Sequence, residues 1–172
     1  MKKCPYWTRA RRLSLSRAAS FAEVGMIAQS VLHSFPKHEH GSIIQVCGPI
    51  STGGFNSVKL NFLVFADAVR LLRERGDHVF DQTPLEEGVS RIWEEWKSDP
   101  ENSGYCWPIL DEIYLPLFES KLIGTLFFLP GWENSTGTCW ERARGLALKL
   151  RIEPYPEDLY RTIIESHGLI HP

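Results

Sequence analysis

The sequence predicts an α/β fold: a three-layer sandwich around a mostly parallel sheet of four to five strands, preceded by a helical arm. Three observations predict it. Apolar runs of strand length alternate with stretches of helical periodicity from Ser42 to Ile152. Two of the strand candidates run directly into glycine-containing loops, as strands do at the carboxyl edge of a parallel sheet. The 172 residues, 43% apolar and 23% charged, have the composition of one globular domain able to bury a core.

In chain order, Leu13, Phe21, Val24, Ile27, Ala28, Val31 and Leu32 recur at helical spacing and predict an amphipathic helix from Leu13 to Phe35, stopped by Pro36. Residues 1–40 form this arm and residues 41–172 the α/β domain. Ser42 to Cys47 reads as a buried strand. Leu60 to Arg75 carries Phe62, Val64, Phe65, Ala68, Val69, Leu71 and Leu72 at helical spacing and closes on Gly76. His78 to Gln82 is the next strand, so the first three elements make a right-handed βαβ unit. Residues 84–108 set Trp93, Trp96, Tyr105 and Trp107 among acids; such a segment either closes over a ligand or anchors a long connection to the core. Trp107 to Ser120 predicts a helix despite Pro116, Leu122 to Leu129 a strongly apolar strand, Thr138 to Leu148 a helix, and Leu150 to Ile152 a short last strand. The whole is Rossmann-like.

Charge and composition exclude several function classes. The net charge of −2 hides an asymmetry: the first twenty residues carry six basic side chains and no acid, leaving 13 basic against 21 acidic residues in the rest, a balance of −8. A nucleic-acid-binding body should be basic, so nucleic acid is not the expected partner. The basic start reads as a solvated arm, with weak nucleic-acid contact or organelle targeting as the competing readings. No apolar stretch approaches the length of a membrane span, and there is no secretory leader, so a soluble cytoplasmic protein is expected. Cys4, Cys47, Cys106 and Cys139 are scattered, without the spacing of a zinc site, and read as free thiols. His38 and His40 flank Glu39 in a polar loop; no metal and no cofactor is assigned.

The candidate chemistry lies at two strand ends. Gly48, Pro49, Ile50, Ser51, Thr52, Gly53 and Gly54 form a glycine loop before a helix, suited by its backbone N–H groups to an anion such as phosphate. It has neither the lysine of a Walker A loop nor the spacing of a dinucleotide fingerprint. The second strand end is residues 130–141. Its Glu141 has two readings: as the fourth residue of a capping box, Thr138 to Glu141, it reaches back to cap its helix; as a first-turn carboxylate at the sheet edge it is a nucleophile. Asp111 is the plausible second carboxyl, or else a solvated first-turn acid.

The run Val46-Cys47-Gly48-Pro49-Ile50, then Asn61, Phe65, Gly76, Val79 and Asp111, and above all Leu129-Pro130-Gly131-Trp132-Glu133-Asn134-Ser135-Thr136-Gly137-Thr138-Cys139-Trp140-Glu141, resembles the nucleoside 2-deoxyribosyltransferase superfamily, most closely its phage and bacterial members of unknown function. The resemblance covers residues 43 to 153. It implies Glu141 as the nucleophile at the anomeric carbon, Asp111 as the group that orients and protonates the base, and Gly48 to Gly54 with Ser135, Gly137 and Thr138 as the substrate-binding residues. The serine at position 135 is the variant found in relatives that hydrolyse nucleoside 5′-monophosphates, where the transferases carry an aspartate. The implied function is cleavage of the N-glycosidic bond of a nucleotide or nucleoside, with water or a second base as acceptor, in a homodimer. The alternative is a non-catalytic nucleotide-binding or sensing module.

Overall fold

The structure is a computed structural model that describes residues 6–39 and 41–169. At its centre, β1 (Ile43–Cys47), β2 (Ile123–Phe128) and β3 (Arg151–Pro154) form a parallel sheet in the order β1-β2-β3. Ile44, Val46 and Cys47 lie opposite Thr125, Phe127 and Phe128, and Leu126 lies opposite Ile152. All five residues of β1 are buried, which accounts for its near-continuous apolar run.

Among the described residues the sheet has three strands, fewer than the four to five expected. The strand read at His78 to Gln82 contributes one bridge, Ile44 to Val79, held by Ile44 N–H on the His78 carbonyl and Phe80 N–H on the Ile44 carbonyl, both at 2.8 Å. Beyond it, side chains take the place of the ladder. Gln82 Nε2 donates to the Val46 carbonyl at 3.0 Å, and Asp81 Oδ1 accepts from Thr83 N–H and Oγ1 in a turn that leads the chain away.

Helices cover both faces. On one side Ile43, Cys47, Leu126 and Phe128 pack in a core with α2 (Phe21–Leu32) and the segment 109–119. On the other, Ile44 and Val46 pack with α3 (Val58–Arg75) and α7 (Glu157–Ser166). α6 (Thr136–Ala147) lies so close to the sheet that a Cβ on Gly145 would come within 2.7 Å of Leu126 and 2.8 Å of Ile152.

The helix expected from Leu13 to Phe35 is two helices. α1 (Arg9–Arg17) ends before Ser20, whose hydroxyl accepts from Glu23 N–H at 3.2 Å while the Glu23 carboxylate returns to Ala19 N–H at 2.7 Å. That reciprocal cap restarts the chain as α2. Residues 84–108, read as one long connection, contain α4 (Glu86–Ser98), with Trp93 and Trp96 packed against the core as anchors. α7 had no counterpart in the sequence reading; its Tyr160, Ile163 and Ile164 are buried against the α3 layer. The helix expected over Trp107 to Ser120 winds as a π-helical segment over Ile109–Tyr114 and continues as α5 (Leu115–Glu119). Pro116 has no N–H to give, so a regular ladder cannot run through it, and the wider turn absorbs the break.

Where β1 and β2 begin, their register shifts by one residue between Ile43 and Ile44, opposite Gly124. A Cβ there would strike the Gly41 carbonyl. Gly124→Ala should therefore destabilise the protein by about 1–3 kcal/mol, as overpacking against immovable backbone does. Chemical denaturation at constant m-value measures it; an unchanged midpoint would mean that the strand entry can shift.

Candidate active site

At the carboxyl edge the chain leaves β1 and β2 side by side, tied by Leu129 N–H on the Cys47 carbonyl at 2.9 Å. The glycine loop is shaped by the buried Asn61. Its Nδ2 donates to the carbonyls of Ile50 and Gly53 at 3.1 and 3.0 Å, and its Oδ1 accepts from Phe55 N–H at 2.8 Å. Gly53, at φ +73°, comes so close to the other loop that a Cβ would stand 2.7 Å from the Asn134 carbonyl oxygen. Thus Gly48 to Gly54 and the segment before Ser135 are in contact. Pro49 is buried, Gly48 and Ile50 are half-buried, and Ser51 and Thr52 are exposed at the tip. The loop does not open α3 directly: Ser57 caps that helix, which starts at Val58.

α6 starts at Thr136, two residues earlier than expected, and its cap is Ser135. Ser135 Oγ accepts from Thr138 N–H at 3.5 Å and from Thr138 Oγ1 at 3.1 Å. The capping-box reading of Thr138 and Glu141 is thereby replaced, and Glu141 falls in the second turn. There it shares the buried face of α6 with Thr138 and Gly145. Only 7% of Glu141 is exposed. Gln45 Nε2, on β1, donates to its Oε1 at 3.4 Å, and the buried Cys47 thiol is its second donor. Burial outweighs both hydrogen bonds and pushes the carboxyl up to about 8. The carboxylate in turn adds to the effect of burial in raising the Cys47 thiol. Among the described residues Gln45 Oε1 is buried without a partner; with the amide turned over, it can accept the proton that Glu141 carries at neutral pH.

Asp111, expected as the second carboxyl, is exposed on the π-helical segment, and no hydrogen bond or ion pair joins it to Glu141 among the described residues. Burial, then the charge of Glu141, raises Tyr105 to about 12, and the same two causes raise Tyr114. The Tyr105 hydroxyl packs directly on Gly137, where a Cβ would collide with it. Ser135, Gly137, Thr138, Glu141 and the glycine loop therefore cluster at one end of the sheet, joined by Cys47, expected only as a free thiol, by Tyr105 of the aromatic segment, and by Gln45 and Tyr114, which the sequence did not single out. A polar Gln45 inside a strand otherwise apolar from Ile43 to Cys47 was the available signal.

Cys47 and Cys106 are buried free thiols and Cys139 an exposed one. Cys4 and His40 lie outside the described residues. Among the described residues no group of three or more His, Cys, Asp or Glu could hold a metal ion, and no helix is long and apolar enough to cross a membrane. Fold and site together define an α/β protein with a buried carboxyl at the carboxyl edge of a parallel sheet. Compared with protein-family models, curated proteins and solved structures, the chain shows no match.

A raised carboxyl opposes folding wherever the unfolded chain is ionised. The folded protein binds the extra proton between the ordinary value of 4.5 and about 8, so this contribution to stability is lost as pH rises through that window. Glu141→Gln should therefore stabilise the protein at pH 8 by on the order of 3–5 kcal/mol and have little effect near pH 4. Thermal melts of both proteins across this range check the sign; equal melting temperatures at pH 8 would show that Glu141 pays no burial cost.

Proposed function

We propose that the protein cleaves the N-glycosidic bond of a nucleoside or deoxynucleoside 5′-monophosphate, or of the nucleoside, with Glu141 as nucleophile and water or a second base as acceptor. The observation that carries this reading is the placement of Glu141: buried on the inward face of α6, at the ligand-binding edge of a parallel sheet, with capping left to Ser135. The resemblance to the nucleoside 2-deoxyribosyltransferase superfamily supplies the reaction. The rival, a non-catalytic nucleotide-binding module, drew its support from a capping role for Glu141 that Ser135 performs instead.

In the proposed cycle the Glu141 carboxylate attacks the anomeric carbon as the bond to the base breaks. The base leaves with a proton, and water or another base displaces the glycosyl ester. The resemblance gives the proton to Asp111; in this closed arrangement the proton-bearing groups that feel the charge of Glu141 are Cys47, Tyr105 and Tyr114. Substrate entry requires the loops over Glu141 to part. No metal or cofactor takes part, and a homodimer is expected from the resemblance.

Base release from a panel of nucleosides and 5′-monophosphates tests the reading. Glu141→Ala should abolish it in a folded protein. Because the ionised carboxyl is the nucleophile, kcat/KM should rise with pH through about 8. Turnover undiminished in Glu141→Ala would end the assignment.

Substrate charge gives a separate test. The Ser135 hydroxyl accepts from Thr138 yet keeps its own proton to donate to a phosphate oxygen. Aspartate caps helices as well as serine does, so Ser135→Asp should preserve α6 while placing like charge beside the phosphate. The preference for 5′-monophosphate over nucleoside should fall by about tenfold or more, one charge-assisted hydrogen bond being worth roughly 1.5–3 kcal/mol. Equal kcat/KM for nucleotide and nucleoside in the unmodified protein would remove the phosphate site.

A further inference from the structure

α6 carries a second set of side chains on the face turned away from Glu141. At about 100° per residue, Thr136 and Cys139 lie roughly opposite Glu141 on the helix, and Trp140 lies to the side. These three, with Glu133, Asn134 and Trp107, line an open groove of about 550 Å³, within the usual size range of ligand sites. Trp107 is 47% exposed, uncommon for so large an apolar ring. It is held from behind by Tyr105, with ring centres 5.0 Å apart, so the indole is fixed while its outer surface is open. Trp140 is braced against Phe118 in the core at 6.3 Å.

One guanidinium group borders the groove: Arg144 lies 5.6 Å over Trp140. Arg142 lies over Trp132, which does not line the groove, on another side of α6. Arg144 forms no ion pair among the described residues, so its charge is open to a ligand. Asn134 and Thr136 add exposed hydrogen-bonding side chains, and Glu133 is an acceptor that repels anions from its own end of the groove.

We propose that this groove is a nucleotide-binding site separate from the site of Glu141. A nucleobase stacks on Trp107, its phosphate lies toward Arg144, and Glu133 accepts from an amino or hydroxyl group. Fixed aromatic surface, unpaired guanidinium charge and a few polar groups are the combination that holds a planar anionic heterocycle. The site does not depend on the reaction proposed for Glu141.

Cys139 is a reporter already in the groove: its thiol is exposed, whereas Cys47 and Cys106 are buried. In the full chain carrying Cys4→Ser, the rate of Cys139 alkylation by iodoacetamide is followed with adenosine 5′-monophosphate, adenosine or inorganic phosphate added. The monophosphate should slow alkylation about tenfold at saturation, adenosine should do so only at higher concentration, and phosphate should not. Trp107→Ala should remove the protection, Trp107→Tyr should keep it, and Glu141→Ala should leave it intact. Unchanged alkylation at millimolar monophosphate would overturn the proposal, as would protection by phosphate alone. So would protection that survives Trp107→Ala and is lost in Glu141→Ala, which would place the ligand at Glu141 instead.

Discussion

β1 is covered on both faces, and whatever meets its side chains is thereby taken out of water. On the α6 side those side chains include Gln45 and Cys47, and the group that meets them is the carboxyl of Glu141. A carboxylate in such a place needs strong compensation. Two hydrogen bonds, one of them long, do not supply it, so burial wins and the proton is retained to about pH 8. The geometry of the edge follows from this, because α6 must lie close enough to the sheet to bring Glu141 in. Gly145 makes that approach possible, its missing side chain leaving room for Leu126 and Ile152.

The loops at this edge are held by polar groups as well as by the packing of Ile50, Phe55 and Trp132 on the cores. Asn61 spends its side-chain amide on the glycine loop, and Ser135 caps α6. Tyr105, on the connection after α4, closes the same end by laying its hydroxyl on Gly137.

α6 thus presents two chemistries. Its inner face holds a single acid in a dry environment, and its outer face holds Trp140 and Cys139 beside Trp107 in an open groove. Helical periodicity separates the two although the residues alternate in sequence. Tyr105 touches both, packing on Gly137 and on the ring of Trp107.

The sequence by itself determined the α/β layering, the glycine loop after β1, α3 with its closing Gly76, and the strand and helix that flank residues 130–135, because periodicity and turn residues are local signals. It did not distinguish a strand from a single bridge at Val79, since whether Asp81 and Gln82 join the ladder depends on Gln82 reaching the Val46 carbonyl, a contact across 36 residues. It read one helix where Ser20 and Glu23 cut two, although that cap is written locally. The role of Glu141 turned on two residues of helix start. Capping by Ser135 rather than Thr138 carries Glu141 from the first turn into the second and from solvent to the face of β1. Only the tertiary structure decided that, because a cap is chosen by where the preceding loop sets the chain down, and this loop is set by its contact with Gly53. Asp111 shows the converse: its helical context was legible, but the π-helical turn ahead of Pro116 determines which way a residue there faces, and Asp111 faces solvent.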